Sequence, residues 1–225
     1  MRLLAMDTAT NACSAALWED GRIVASKFEA MMRGQAERLV PLIGEVLDDA
    51  QATWDSLDRL AVTIGPGAFT GLRIGLSTAR GLALAANKPL VGVTTLAAVA
   101  YAVALEERQD KNLLVVLDAK RADVYAQVFG PDLSPLTDPV AVMPEKLPDL
   151  TGDGPLVIAG DHAKTVASVF DGQATIASGH GLPEAEIVAA LAAKTEPSKN
   201  GEPPAPLYIR PPDATIPKNG GKLRP

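Results

Sequence analysis

Between two apolar segments the chain carries Gly65-Pro66-Gly67-Ala68-Phe69-Thr70-Gly71-Leu72-Arg73-Ile74-Gly75. Leu60 to Ile64 before it reads as a buried strand, and Leu72 to Ala86 after it, rich in Ala, Leu and Gly, as a helix. A strand, a glycine loop and a helix in that order make an α/β unit, and the first N–H groups of such a helix often face a phosphate. This loop lacks the means. A phosphate loop ends in Gly-Lys-Ser/Thr, and no lysine lies between Lys27 and Lys88. A dinucleotide fingerprint needs a third glycine where Thr70 stands and an acidic residue further on, but residues 60 to 105 hold no Asp or Glu. Pro66 has no N–H to offer. The glycines therefore predict a tight structural turn, with Thr70 as the expected cap of the helix.

Within that helix Gly71, Gly75, Ala79 and Ala83 recur every fourth residue and leave one nearly bare ridge, beside a second ridge of Leu72, Leu76 and Leu84 broken by Arg80. A bare ridge admits a close neighbour, because side-chain size sets the distance between packed elements. Either the chain's own sheet or a partner's helix could fill that place. An earlier segment carries Ala36, Leu39, Val40, Ile43, Val46, Leu47 and Ala50, an apolar stripe of helical period, with Pro41 inside it.

The rest of the chain repeats a theme. Leu3 to Met6 is a strand ending at Asp7; Cys13 to Trp18 and Arg22 to Lys27 follow, joined by Asp20-Gly21, a strong two-residue hairpin signal. Leu90 to Val93 predicts another strand and Thr95 to Glu107 a helix. From about Gln109 the pattern restarts. Leu113 to Leu117 ends at Asp118, then come strands at Asp123 to Phe129, Val140 to Met143 and Leu156 to Ala159. Helices are expected near Pro144 to Leu150, Ala163 to Phe170 and Glu184 to Lys194. Two similar α/β lobes are predicted, with no repeated sequence between them.

Bulk properties bound the function. The apolar fraction of 47% and charged fraction of 21% are those of a folded globular protein. A net charge of −6 opposes an independent nucleic-acid grip, although the acid-free stretch holding Arg59, Arg73, Arg80 and Lys88 leaves room for a local basic face. One cysteine, Cys13, makes no internal disulfide and fits a reducing, cytoplasmic setting. The apolar start reaches only Met6 and is read as too short for a signal peptide, and no apolar run is long enough to span a membrane. The only histidines, His162 and His180, have no ligand cluster around them, so no metal site and no catalytic residue is expected. Asp7 and Asp118 are the candidate cofactor positions: in two-lobed folds that clasp ATP, such strand-end aspartates hold the metal and phosphates. Alternatively each satisfies turn amides.

Four stretches carry a resemblance. Met1 to Thr10 with Cys13-Ser14, Gly65 to Gly75, Asp118-Ala119-Lys120-Arg121 with Val124-Tyr125, and Tyr208-Ile209-Arg210 together resemble the TsaB family over nearly the whole chain. The resemblance implies an actin-like fold of two RNase H-like lobes, each a mixed five-stranded sheet flanked by helices. The expected division is 1–108 for the N-terminal lobe, 109–210 for the C-terminal lobe and 211–225 for a flexible Pro/Lys tail. It implies a non-catalytic, cytoplasmic subunit of the bacterial complex that adds a threonylcarbamoyl group to the adenosine after the anticodon. The partners implied are a TsaD-like catalytic subunit, a TsaE-like ATPase and, through the complex, tRNA. ATP and metal are expected in those partners, with no cofactor held by this chain alone. Pairing is expected through the two N-lobe helices, at Leu39, Ile43, Leu72, Gly75, Leu76, Ala79 and Ala83, with a homodimer through the same helices as the competing assembly. Many family members have a histidine where this chain has Gln35. The competing function is a stand-alone ATP-dependent phosphotransferase or a glycoprotease-like hydrolase, motivated by Asp7 and Asp118.

Overall fold

The computed structural model describes residues 1–198 and 201–210; the expected tail 211–225 lies outside the described residues. Strands β1 (Arg2–Asp7), β2 (Ala12–Glu19) and β3 (Arg22–Ala30) form the predicted antiparallel meander. Asp20 and Gly21 turn the first hairpin with φ of 45° and 97°, the left-handed pair that such a turn requires. α1 (Gln35–Asp49) follows, burying Leu39, Leu42, Ile43, Val46 and Leu47, with Pro41 on its exposed side. β4 (Arg59–Gly65) lies parallel to β1; α2 (Phe69–Ala86) then leads to β5 (Leu90–Thr94), parallel to β4. The sheet order is β3-β2-β1-β4-β5.

After β5 the expected helix over Thr95 to Glu107 is divided into α3 (Thr95–Ala102) and α4 (Leu105–Arg108). Val103 between them is extended, and its carbonyl accepts from Arg108 Nε instead of continuing a helix. The second sheet comprises β6 (Asn112–Asp118), β7 (Val124–Phe129) and β8 (Val140–Val142), then α5 (Leu147–Thr151), β9 (Leu156–Ala159), α6 (Ala163–Val166) and β10 (Ala174–Ile176). Its order, β8-β7-β6-β9-β10, repeats the first: three antiparallel strands, then two in parallel. The repeat seen in the strand pattern is thus a repeat of topology. β10, three residues long, gave no periodicity to read.

The helices do not respect the boundary at 108/109 that separates the sheets. α7 (Ala185–Ala192) places Val188, Ala189 and Ala192 against Leu3, Ala5, Ala16 and Ala61 of the first sheet. α3 places Leu96, Val99 and Ala100 against Leu113, Val115 and Leu117 of the second. Both helices are apolar nearly all round and are buried on more than one side; Ala98 of α3 still faces the first-sheet cluster. Each lobe therefore lends a helix to the other, which ties the two together. The segment 204–210 also returns to the first lobe. Leu207 donates to the Ile64 carbonyl at 2.7 Å, and Arg80 reaches the Pro204 carbonyl at 2.7 Å.

Candidate functional site

Asp7 and Asp118 occupy the same place in their sheets, at the end of the first strand opposite β2 and β7. Their surroundings differ. Asp7 is completely buried. Its Oδ1 accepts from the Thr63 hydroxyl and, at 3.1 Å, from the Ala9 N–H, while Oδ2 has no hydrogen-bond partner among the described residues. Burial, opposed by these hydrogen bonds, raises its pKa from 3.8 to about 7.

The cover over Asp7 is the glycine loop. A Cβ on Gly67 would lie 2.3 Å from the Ala9 carbonyl oxygen, one on Gly71 2.2 Å from that of Thr8, and one on Gly75 2.7 Å from the Thr8 hydroxyl. The Thr8 hydroxyl donates to the Gly71 carbonyl at 2.8 Å, and Ala68 N–H to the Ala9 carbonyl at 2.8 Å. The glycines are thus required where the β1–β2 loop lies on the start of α2. The bare ridge faces the chain's own loop and sheet. α2 starts after Ala68, with no side-chain cap; Thr70, the expected cap, is already inside the helix and exposed.

Asp118 is partly open, with 26% of its side chain exposed. Its carboxylate pairs with Lys120 Nζ at 2.8 Å and accepts from the Lys120 N–H at 2.6 Å. Burial works to raise its pKa, but these Lys120 contacts hold it below the ordinary value. Its own N–H donates to Asp161 at 2.9 Å, and Lys120 reaches across the lobes to Asn11 at 3.4 Å.

Beside this bridge lies a cleft of about 570 Å³ that the sequence reading did not assemble. Gly67, Phe69 and Arg73 contribute from the glycine loop and α2, Lys120, Arg121 and Tyr125 from the β6–β7 turn, and Tyr208 and Arg210 from the returning segment. The Arg73 guanidinium lies 3.7 Å over the Phe69 ring and Nε donates to the Tyr208 hydroxyl at 3.3 Å. Arg210 pairs with Asp123 and sits 5.3 Å over Tyr125. A signal for the cleft was present: three of the four resembling stretches converge here.

The residues expected at a partner interface require correction. Leu39, Ile43, Leu76, Ala79 and Ala83 lie in the core cluster of the first lobe with Leu4, Met6, Leu60 and Val62, and Leu72 and Gly75 are buried as well. An amphipathic stripe marks the side a helix buries, and here its own sheet takes it. The residues that the two helices offer to solvent include Ala36, Val40 and Pro41 on α1 and Phe69, Ser77, Gly81, Leu84 and Ala85 on α2, with Leu84 84% exposed. Gln35 is buried and donates to the Met31 carbonyl at 3.2 Å.

Among the described residues no three His, Cys, Asp or Glu side chains are grouped to hold a metal. Cys13 is fully buried, and burial pushes its thiol up to about 12, far from a reactive thiolate. No described helix is long and apolar enough to cross a membrane.

The model of the family described as TsaD, tRNA N6-adenosine threonylcarbamoyltransferase, matches residues 28–201. The tRNA threonylcarbamoyladenosine biosynthesis protein TsaB of Escherichia coli (strain K12) is 42% identical over 125 residues, 56% of this chain and 53% of that protein. The chain spans about half the length of the curated relatives it matches under that name. A protein of Mycobacterium tuberculosis is 31% identical over 94% of this chain and 93% of its own. A Pseudomonas aeruginosa crystal structure, described as similar to the peptidase YeaZ, superposes with a TM-score of 0.81 at 30% identity, covering 93% of this chain and 99% of that one. With a family model over most of its length and TsaB proteins among its relatives, the chain belongs to the TsaB family.

Proposed function

We propose that this chain is the non-catalytic subunit of the cytoplasmic complex that places a threonylcarbamoyl group on the adenosine 3′ of the anticodon in tRNAs reading codons that begin with A. The observation that carries this reading is the sealed Asp7. A superfamily member that handles ATP itself needs that carboxylate open to a metal–phosphate unit, whereas here the β1–β2 loop and the start of α2 close over it. Chemistry, nucleotide and metal then belong to the partners, a TsaD-like catalytic subunit and a TsaE-like ATPase. A hydrolase reading cannot rest on the lone thiol, which is buried and protonated.

The partner contact falls on the exposed side of the two helices of the first lobe. Val40 is 55% exposed, and Gly81 has open space where a Cβ would stand. Gly81→Arg and Val40→Glu are expected to abolish co-elution with the catalytic subunit on gel filtration without lowering the melting temperature by more than about 2 °C, as surface changes do. Co-elution at the parent level by both variants would move the interface elsewhere. The function is tested by reconstituting tRNA modification with and without this chain. Undiminished modification in its absence overturns the proposal, as does tight Mg-ATP binding by the purified chain in calorimetry.

A further inference from the structure

We propose that the cleft between Phe69, Lys120 and Tyr208 binds a single-stranded segment of RNA, a base stacking on the Phe69–Tyr208 wall while Arg73 and Lys120 take the flanking phosphates. The inference rests on the reading of the chain as part of a tRNA-modifying complex, and deepens it by naming where the chain itself touches the substrate. The first observation is charge. In a chain of net charge −6, the described residues that line the cleft include Arg73, Lys120, Arg121 and Arg210 and no Asp or Glu. Lys120 and Arg210 have carboxylates behind them, Asp118 and Asp123, and Arg121 is engaged as well. Among the described residues Arg73 makes no ion pair, and the Phe69 ring and the Tyr208 hydroxyl hold it. It is therefore oriented, and no described carboxylate neutralises it.

The second observation is aromatic. The chain has four Phe, three Tyr and two Trp, and three of these nine line this one cleft. Phe69 and Tyr208 stand at its mouth, 54% and 46% exposed, with ring centroids 5.8 Å apart and planes inclined by 32°. An exposed pair of tilted rings next to a guanidinium is a surface on which any base can stack, and the neighbouring cations track a phosphate backbone. A volume of about 570 Å³ accommodates one nucleotide and its phosphates. A helix or a double strand would not enter such a cleft, whereas an unpaired loop nucleotide presents its face freely.

The test uses the full chain, alone and assembled with its catalytic partner, and a fluorescently labelled single-stranded RNA of roughly ten nucleotides, within the range such sites cover. Phe69→Leu and Tyr208→Leu keep apolar bulk but remove the stacking face; each is expected to weaken binding by about 5- to 100-fold. Arg73→Gln is expected to reduce the slope of log affinity against log salt by about one. Lys164→Gln, exposed on α6 and outside the cleft, leaves both unchanged. Thermal melts of the same samples separate loss of binding from loss of fold. RNA affinity unaffected by all three cleft substitutions, in the chain and in the complex, overturns the inference, as does an acidic peptide that displaces the RNA and binds independently of the two rings. If the complex forms and modification needs the chain while the variants bind RNA normally, the inference alone has failed. If no complex forms, the proposed function has failed, and the RNA titration of the isolated chain still decides the cleft.

Discussion

Gly71→Ala is expected to destabilise the protein by about 3 kcal/mol or more, at the upper end of what overpacking costs. The same substitution at Gly81, ten residues later in the same helix, is expected to stabilise it by about 1 kcal/mol. The intrinsic preference is identical at the two sites, since alanine is the better helix former by close to 1 kcal/mol. The difference lies in what the new methyl meets. At Gly81 it meets nothing within 4 Å; at Gly71 it falls 2.2 Å from the Thr8 carbonyl oxygen. That oxygen is backbone, fixed by the Thr8 hydroxyl bond to Gly71 and by the Ala9–Ala68 bond, so it cannot swing aside as a side chain would. For a domain of this size the two changes correspond to a loss of roughly 10 °C and a gain of roughly 3 °C in melting temperature. A Gly71→Ala protein that melts with or above the parent would show that loop and helix are not in contact.

The same geometry reassigns the bare ridge. Gly75→Leu and Ala79→Glu are natural choices for breaking a partner contact, but both positions are buried in the chain's own core. One would drive a side chain into the Thr8 hydroxyl and the other would bury a charge. Loss of a complex by either variant would report loss of fold. Gly81→Arg avoids this because its side chain leaves the molecule.

Much of the fold was legible because its signals are local. The Asp20-Gly21 turn, the alternation of strand and helix and the strand-end aspartates each depend on a few neighbouring residues, and together they yielded two lobes of like topology. Signals that depend on distant neighbours were ambiguous. The stripe through Leu39 and Ile43 shows that α1 has an apolar face, but not whether that face meets a sheet or another chain. The crossing of α3 and α7 was hidden for the same reason, since Thr95 to Ala102 and Ala185 to Ala192 are apolar on too many sides to choose a lobe. The cleft was invisible to spacing because its walls come from residues 67–73, 119–125 and 207–210. The similarity of those stretches to one family brought them to notice, and only the fold placed them together.

The burial of Asp7 has a measurable consequence in the pH dependence of stability. An ordinary aspartate loses its proton near 3.8, but the folded chain holds that of Asp7 to about 7, because ionisation would put a charge where no water reaches. Protonated Asp7 therefore favours the folded state fully below pH 3.8, and that contribution is lost as pH rises through about 7. A gap of about three pH units corresponds to about 4 kcal/mol between the two limits. Asp7→Asn removes the ionisation. The amide oxygen can still accept from Thr63 and Ala9, but the NH2 group falls where Oδ2 has no partner, at a cost of about 1–3 kcal/mol. The variant is thus expected to be less stable than the parent at pH 4 and more stable at pH 8, with the two curves crossing in between. Urea unfolding at pH 4, 5, 6, 7 and 8 measures this directly. Parallel curves across that range would mean that Asp7 is ionised in the folded chain, and hence that the space beside Oδ2 admits a cation. The case for a sealed, non-catalytic first lobe would then fall with it, because a carboxylate open to a cation is what an ATP-handling relative requires.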